Sequence, residues 1–204
     1  EFRRVLFRSE LAGGQQFLTD LYTDPDPVLE LMDAMDRRMD EMFTMALGSS
    51  VEAVWQPDNV TFDMTPPDNY SKYLLPFYNK HGAGCRAAGK PYIVHMDGKL
   101  RKLQDLIKAS SFDVIESMSL PQISGDYSLK QAQEIYTDKI IIPNFPANMS
   151  YDSDESIRGF MVDLLEQRLA DRPFMLQVSE DIPVDSWQRV IGVLSGFMDM
   201  QEHR

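Results

Sequence analysis

The apolar positions of this chain alternate between two rhythms. Across residues 27–46, Val28, Leu31, Met32, Met35, Met39, Met42, Phe43 and Ala46 recur at spacings of three and four, which lines them along one helix face. Asp24-Pro25 or Asp26-Pro27 supplies a cap and a first-turn proline. Residues 51–55 then gather β-branched and aromatic side chains and end in Gln56, Pro57, Asp58 and Asn59. That pattern predicts a buried strand running into a loop.

The same unit repeats four more times. A helical stretch over 68–88, bent by Pro76, precedes a strand at 91–95, and a helix over 99–109 precedes a strand at 112–116. Ser128 with Gln131 forms a capping-box pattern that opens a helix through Tyr136, followed by a strand at 139–144. Asp154 is the expected cap of a helix whose inward face is Ile157, Phe160, Met161, Leu164 and Leu165; a fifth strand follows at 173–178. Asp185 and Gln188 open a last helix packed through Trp187, Val190, Ile191, Leu194, Phe197 and Met198.

Strands that are apolar throughout, each separated by a helix, need parallel pairing with both faces covered. Two architectures satisfy this, a doubly wound sheet and a (β/α)8 barrel. Both concentrate chemistry at the C-terminal edge of the sheet. Each expected strand ends there in a polar or ionisable group: Asp58 and Asn59, His95 and Asp97, Glu116, Asn144, then Glu180 and Asp181. A histidine among carboxylates suits proton transfer or a hard metal ion. Singly, His95 also fits a hydrogen-bonded structural role, and Asp58 or Asp181 the capping of a following segment. Trp55, Met118 and Phe145 would wall a flat or extended substrate, beside the polar Gln56, Asn59, Asn144 and Glu180.

Charge narrows the function classes. Against 20 basic residues stand 32 acidic ones, a net −12, which repels nucleic-acid phosphates and anionic lipid surfaces. The single cysteine, Cys85, excludes an internal disulfide framework and a thiolate-rich zinc site, and fits a cytoplasmic protein. It shares a helix face with Phe77 and His81 and reads as a buried, inert thiol. His81 and His203 read as surface or helix-end residues, and the 13 methionines as core fillers. Lys99, Arg101, Lys102 and Lys108 form a solvated helix face, of which Lys99 and Arg101 lie near the His95 loop and could meet an anionic substrate. No Gly-x-Gly-x-x-Gly or phosphate-loop lysine follows any strand, so no nucleotide cofactor is implied. No apolar run is long enough to cross a bilayer. Residues 1–9, EFRRVLFRS, place three arginines in an acidic chain; they read as a non-native leader ahead of a domain over 10–204, or as a short basic strand of the protein itself.

The ordered segments DLYTDPDPVLELMD, AVWQPDN, TPPDNYSKYLLPFY, AAGKPYIVHMDGKLRKL, SFDVIESMSLP and IIIPNFP resemble the uroporphyrinogen decarboxylase superfamily over residues 11–201. The H-x-D-G stretch at His95 to Gly98, after Gly89-Lys90, is the most specific part. The resemblance implies the C-terminal part of a (β/α)8 barrel: about five parallel strands with outer helices, earlier units missing. It implies either decarboxylation of a porphyrinogen-type or other carboxylated substrate without a cofactor, or corrinoid-linked methyl transfer with zinc. In the methyltransferases zinc is held by a His-x-Cys pair and a later Cys. Here His95 matches, Asp97 replaces the first cysteine, and Ser179 or Glu180 stands at the last position. The resemblance therefore allows a harder divalent metal ion on His95, Asp97 and Glu180. The decarboxylase's arginine-rich motif and central aspartate belong to earlier strands, and no histidine follows residues 173–178. The reading is a decarboxylase-like enzyme with His95, Asp97, Asp58 and Glu116 as catalytic groups. Methyl transfer and a non-catalytic binding barrel are the alternatives. The expected partners are a small-molecule substrate and, for the full-length protein, a second copy of itself.

Overall fold

Helix-forming residues dominate the start of the chain, where α1 (Gly14–Thr23) leads directly into the long α2 (Pro25–Leu47) in the computed structural model. The structure describes residues 14–178 and 181–202, with side chains for 16–178 and 181–197. The proposed leader, His203, Ser179 and Glu180 lie outside the described residues. Asp24 takes the N-cap position of α2 without a side-chain capping hydrogen bond, and Pro25 enters the first turn, where a missing N–H costs nothing. Of the expected apolar face, Met32, Met39 and Phe43 are buried, whereas Leu31 is exposed. The end of α2 is closed from a distance: the Lys90 ammonium donates to the carbonyls of Ala46, Leu47 and Ser49 at 2.9, 3.0 and 2.8 Å. A cation there satisfies carbonyls left over at the helix C-terminus and opposes its dipole.

The first strand, β1 (Val54–Val60), lies later than its apolar pattern predicted and includes Gln56, Pro57, Asp58 and Asn59. Pro57 is tolerated because β1 is an edge strand, hydrogen-bonded only to the next strand among the described residues. The register shifts between Gln56 and Val60, and Asn59 takes φ 48°. The bend expected at Pro76 takes a specific form. A short turn (Pro67–Asn69) passes into a π-helical segment (Tyr70–Leu74) and then α3 (Leu75–Ala87), the Leu75 N–H reaching back to the Tyr70 carbonyl. Proline cannot continue the ordinary ladder, and the wider turn absorbs the mismatch. At Gly82 of α3 a Cβ would stand 2.0 Å from the Ser111 carbonyl oxygen, so only glycine permits this approach.

The remaining elements are β2 (Tyr92–Met96), α4 (Gln104–Ala109), β3 (Val114–Met118), α5 (Leu129–Ile135), β4 (Ile140–Pro143), α6 (Asp154–Gln167) and α7 (Trp187–Glu202). The capping box at Ser128 and Gln131 forms as predicted. The cap of α6 is Ser153 rather than Asp154: its hydroxyl accepts from the Ser156 N–H, and Asp154 sits in the first turn, where its charge favours the helix dipole. Helix α7 starts after Asp185 and buries Val190, Val193, Leu194 and Phe197, leaving Trp187 and Ile191 exposed.

Four strands pair in parallel in the order β1-β2-β3-β4, with helices in the connections. The expected fifth strand is reduced to a single parallel bridge between Asn144 and Gln177. Its two hydrogen bonds run from the Phe145 N–H to the Gln177 carbonyl and from the Gln177 N–H to the Pro143 carbonyl. Continuing the ladder backward would need an N–H at residue 143, and proline has none. This is a partial (β/α)8-type barrel. Among the described residues no helix is long and apolar enough to cross a membrane.

Between sheet and helices lies a core rich in tyrosine. Tyr70, Tyr78, Tyr92, Tyr127 and Tyr136 are nearly inaccessible. Tyr78 donates to Asp58 Oδ2 at 2.7 Å, and Tyr70 shares a 2.9 Å hydrogen bond with Ser110. Burial pushes the phenols of Tyr70, Tyr78 and Tyr136 well above their ordinary 10.0, and Asp58 raises Tyr70 and Tyr78 further. The folded state thus keeps these protons after the unfolded chain has lost its own, so stability is fully present below pH ~10 and declines as pH rises beyond it. Denaturant midpoints measured from pH 8 to 12 should stay level and then fall. Tyr78→Phe removes a donor from the buried Asp58 and should destabilise the fold by about 1–3 kcal/mol in the same assay.

Candidate functional site

Side chains alternate across a strand, and β2 separates its two faces clearly. Tyr92, Val94 and Met96 are fully buried against the helix-side core, while Ile93 and His95 occupy the opposite, inner face. His95 stands in register with Glu116 of β3, and Trp55 of β1 with Ile93. Register neighbours in a parallel pair share a face, which brings Trp55, His95 and Glu116 together.

The contacts are close. Trp55 Nε1 donates to Glu116 Oε2 at 2.9 Å, and His95 Nδ1 lies 2.7 Å from the same oxygen. The indole and imidazole rings meet edge to face with centroids 6.4 Å apart. Because Oε2 accepts from the indole and an ionised carboxylate has no proton to give, Nδ1 is the donor toward it. The imidazole is thereby held in the tautomer that leaves Nε2 as an acceptor on the inner face. Glu116 is 4% exposed, and its second oxygen, Oε1, is buried without a hydrogen-bond partner. Trp55, by contrast, is 47% exposed.

The loop after β2 carries Asp97 and is pinned to both neighbouring loops. The Asp97 N–H donates to the Val60 carbonyl, and the Gly98 N–H to Ser119 Oγ at 2.8 Å. Gly98 takes φ +63°, and a Cβ there would stand 2.6 Å from Thr61 Oγ1. Asp126 adds a further anchor, its carboxylate accepting from the N–H groups of Leu100 and Arg101. Asp126 lies in a loop with no motif, and Ser119, although within the segment SFDVIESMSLP, has nothing local that marks its hydroxyl as the partner of Gly98.

Several expected site residues lie elsewhere. Asp58 is fully buried on the helix side, accepting from Gln56 Nε2 at 2.9 Å and from Tyr78, so neither Asp58 nor Gln56 joins His95. The reason is their place inside the extended β1, which turns both inward to the core instead of onto a rim loop. Phe145 packs edge to face on Phe160 of α6, and Met118 is wholly enclosed in the core, so neither walls a pocket. Ser117, at φ 62°, breaks the alternation just before Met118. Asn59 is half-buried at the end of β1; Asn144 is buried at the bridge to Gln177. Trp55, expected as an apolar wall, also acts through its N–H.

Lys99 lies 3.7 Å from Asp63, and Arg101 stacks over Tyr127 while donating to the Asp126 carbonyl; both cations are engaged locally. His81 is not at the surface. It is buried between Phe43 and Phe77 at 3.8 and 4.2 Å between ring centroids, with Nε2 3.3 Å from Asp40. Cys85 is fully enclosed, and burial, with Asp113 adding to it, pushes its thiol up to about 11. Among the described residues no three His, Cys, Asp or Glu side chains converge to hold a metal ion, and Glu180, the third expected ligand, lies outside them. The metal set anticipated from the resemblance is therefore not assembled by the described part of the chain.

A parallel sheet with outer helices, here with His95 and Glu116 in register on adjacent strands, is the architecture of a barrel domain of the (β/α)8 class. The family model described as uroporphyrinogen decarboxylase (URO-D) matches residues 9–195, and the chain belongs to that family. A solved structure, a methyltransferase from Methanosarcina mazei, superimposes with a TM-score of 0.70 at 14% sequence identity, over 96% of this chain. The chain spans 57% of the length of that structure. At this identity the likeness speaks for the fold. No curated protein matches the chain.

The geometry makes a spectroscopic prediction. Nitrogen-15 shifts of neutral His95 should report the proton on Nδ1, and Glu116→Gln should relax this preference toward a mixture. An unchanged tautomer in the variant would show that Glu116 does not set it.

Proposed function

We propose that this chain contributes the acid–base part of a decarboxylase-like barrel enzyme acting on a porphyrinogen-type or other small carboxylated substrate. The observation that carries the reading is the hydrogen-bonded pair of Glu116 and His95, with Nε2 left open on the inner face. When the bond to the departing carboxyl group breaks, carbon dioxide leaves and the electron pair stays on the substrate carbon. A protonated His95 delivers its Nε2 proton to that carbon and regains one from water. Glu116 orients the ring and balances its positive charge, a division of labour suited to general acid–base catalysis. Asp97, two residues on in a loop held by backbone hydrogen bonds to Val60 and Ser119, is assigned in this reading as the carboxylate that meets the substrate at the rim. Membership of the uroporphyrinogen decarboxylase family supports this choice of reaction.

Methyl transfer is the second reading. It is favoured by a carboxylate behind the histidine, an arrangement that also orients metal-binding imidazoles, and by the fold shared with a methyltransferase. The lone cysteine of this chain is enclosed in the core, so these residues bring no thiolate to a zinc in that reading.

His95→Gln in the full-length protein should lower the release of carbon dioxide by about 100-fold or more with the fold retained. Turnover equal to the parent would exclude His95 as the acid. Stoichiometric metal that is lost together with activity in the same variant would favour the methyl-transfer reading instead.

A further inference from the structure

Glu116 is asked to do more than hold His95. Its Oε2 accepts two hydrogen bonds, whereas Oε1 is buried and has none. A buried carboxylate oxygen without a donor is unfavourable, and a ligand that brings a donor recovers that free energy. The surroundings specify the donor. The inner-face positions Trp55, Ile93, His95, Glu116 and Ile142 include no lysine or arginine, so none of them supplies a cationic donor to Oε1 and a ligand cation meets no competing ammonium or guanidinium there. Of the two side chains bonded to Glu116, Trp55 is the exposed one, at 47% against 13% for the His95 side chain. One hydrogen bond ties its indole to the carboxylate. An indole is also the best aromatic surface for a cation.

We propose that Glu116 Oε1 and the Trp55 indole form a subsite for a protonated amine of the substrate, the indole swinging off the carboxylate as the ammonium group arrives. The ammonium donates to Oε1 and lies against the indole face, while Oε2 keeps its bond to His95. The electropositive end of the substrate is thereby fixed beside the proton donor, and its carboxyl groups are directed away from Glu116. The inference rests on the inner face being the substrate site and is independent of which reaction follows.

The test uses the full-length protein, its tryptophan fluorescence read against that of the Trp55→Leu variant so that the Trp55 signal is isolated. Benzylammonium and benzoate, alike in their ring and opposite in charge, are titrated while fluorescence is followed. Saturable quenching by benzylammonium and no response to benzoate are expected. Glu116→Gln should weaken benzylammonium binding roughly tenfold or more, the loss expected for a charge-assisted hydrogen bond. If circular dichroism shows that this variant does not fold, Trp55→Leu, titrated by calorimetry, should weaken binding several-fold through loss of the aromatic face. Equal binding of the two probes, or wild-type affinity in both variants, overturns the subsite. Quenching by zinc ion that excludes benzylammonium also overturns it, by assigning Oε1 to a metal. Lost turnover in His95→Gln without benzylammonium binding would remove this inference alone. Unchanged turnover with benzylammonium binding would remove only the acid–base reading.

Discussion

Parallel pairing obliges both faces of β2 and β3 to leave water, and the protein fills those faces by different means. On the helix side it packs tyrosines and aliphatic side chains, and the charged groups Asp58 and Lys139 are buried there with partners. Asp58 is held by Gln56 and Tyr78. Lys139, its side chain 1% exposed, donates to the carbonyls of Ser110 and Phe112 and lies 4.8 Å from the Phe112 ring centroid. On the inner side the same strands present His95 and Glu116, and there one acceptor is left open. Buried polar atoms are ordinarily satisfied, and among the described residues Glu116 Oε1 is the carboxylate oxygen buried without a partner.

Prolines set the limits of the sheet. Pro57 suits an edge, Pro76 follows the π-helical segment that leads into α3, and Pro143 withholds the N–H that a longer fifth pairing would need. Each acts by removing one donor. The consequence is a sheet regular in its middle, where His95 and Glu116 stand in register, and irregular at both margins. A rigid centre is what a two-residue acid–base pair requires, because small displacements of a proton donor cost much of its rate.

The rim is fixed by local hydrogen bonds rather than by secondary structure. Gly98, Ser119, Thr61 and Asp126 lace together the loops after β1, β2 and β3. Asp97 is carried on the middle of these, with its own N–H on the Val60 carbonyl. Lys90 does comparable work one layer out, joining the entry of β2 to the end of α2. The Gly89-Lys90 and H-x-D-G stretches therefore have structural duties in addition to any chemistry at His95.

The alternation of periodicities was enough to establish parallel strands with intervening helices, and the stretch around His95 was enough to suggest the family. Both are carried by local patterns: apolar spacing reflects burial, and capping boxes such as Ser128 with Gln131 close within four residues. Pairing across strands is different, since it depends on register, and no residue announces its partner 21 or 61 positions away. The contacts of Glu116 with His95 and with Trp55 are of this kind. The side of the sheet on which Asp58 falls is another. A strand beginning three residues later than its apolar run, with a register shift inside it, sends a carboxylate expected at the rim into the core. Sequence determined which residues could carry charge and which elements would hold them; only the tertiary structure, through register and proline-limited pairing, decided which of them meet.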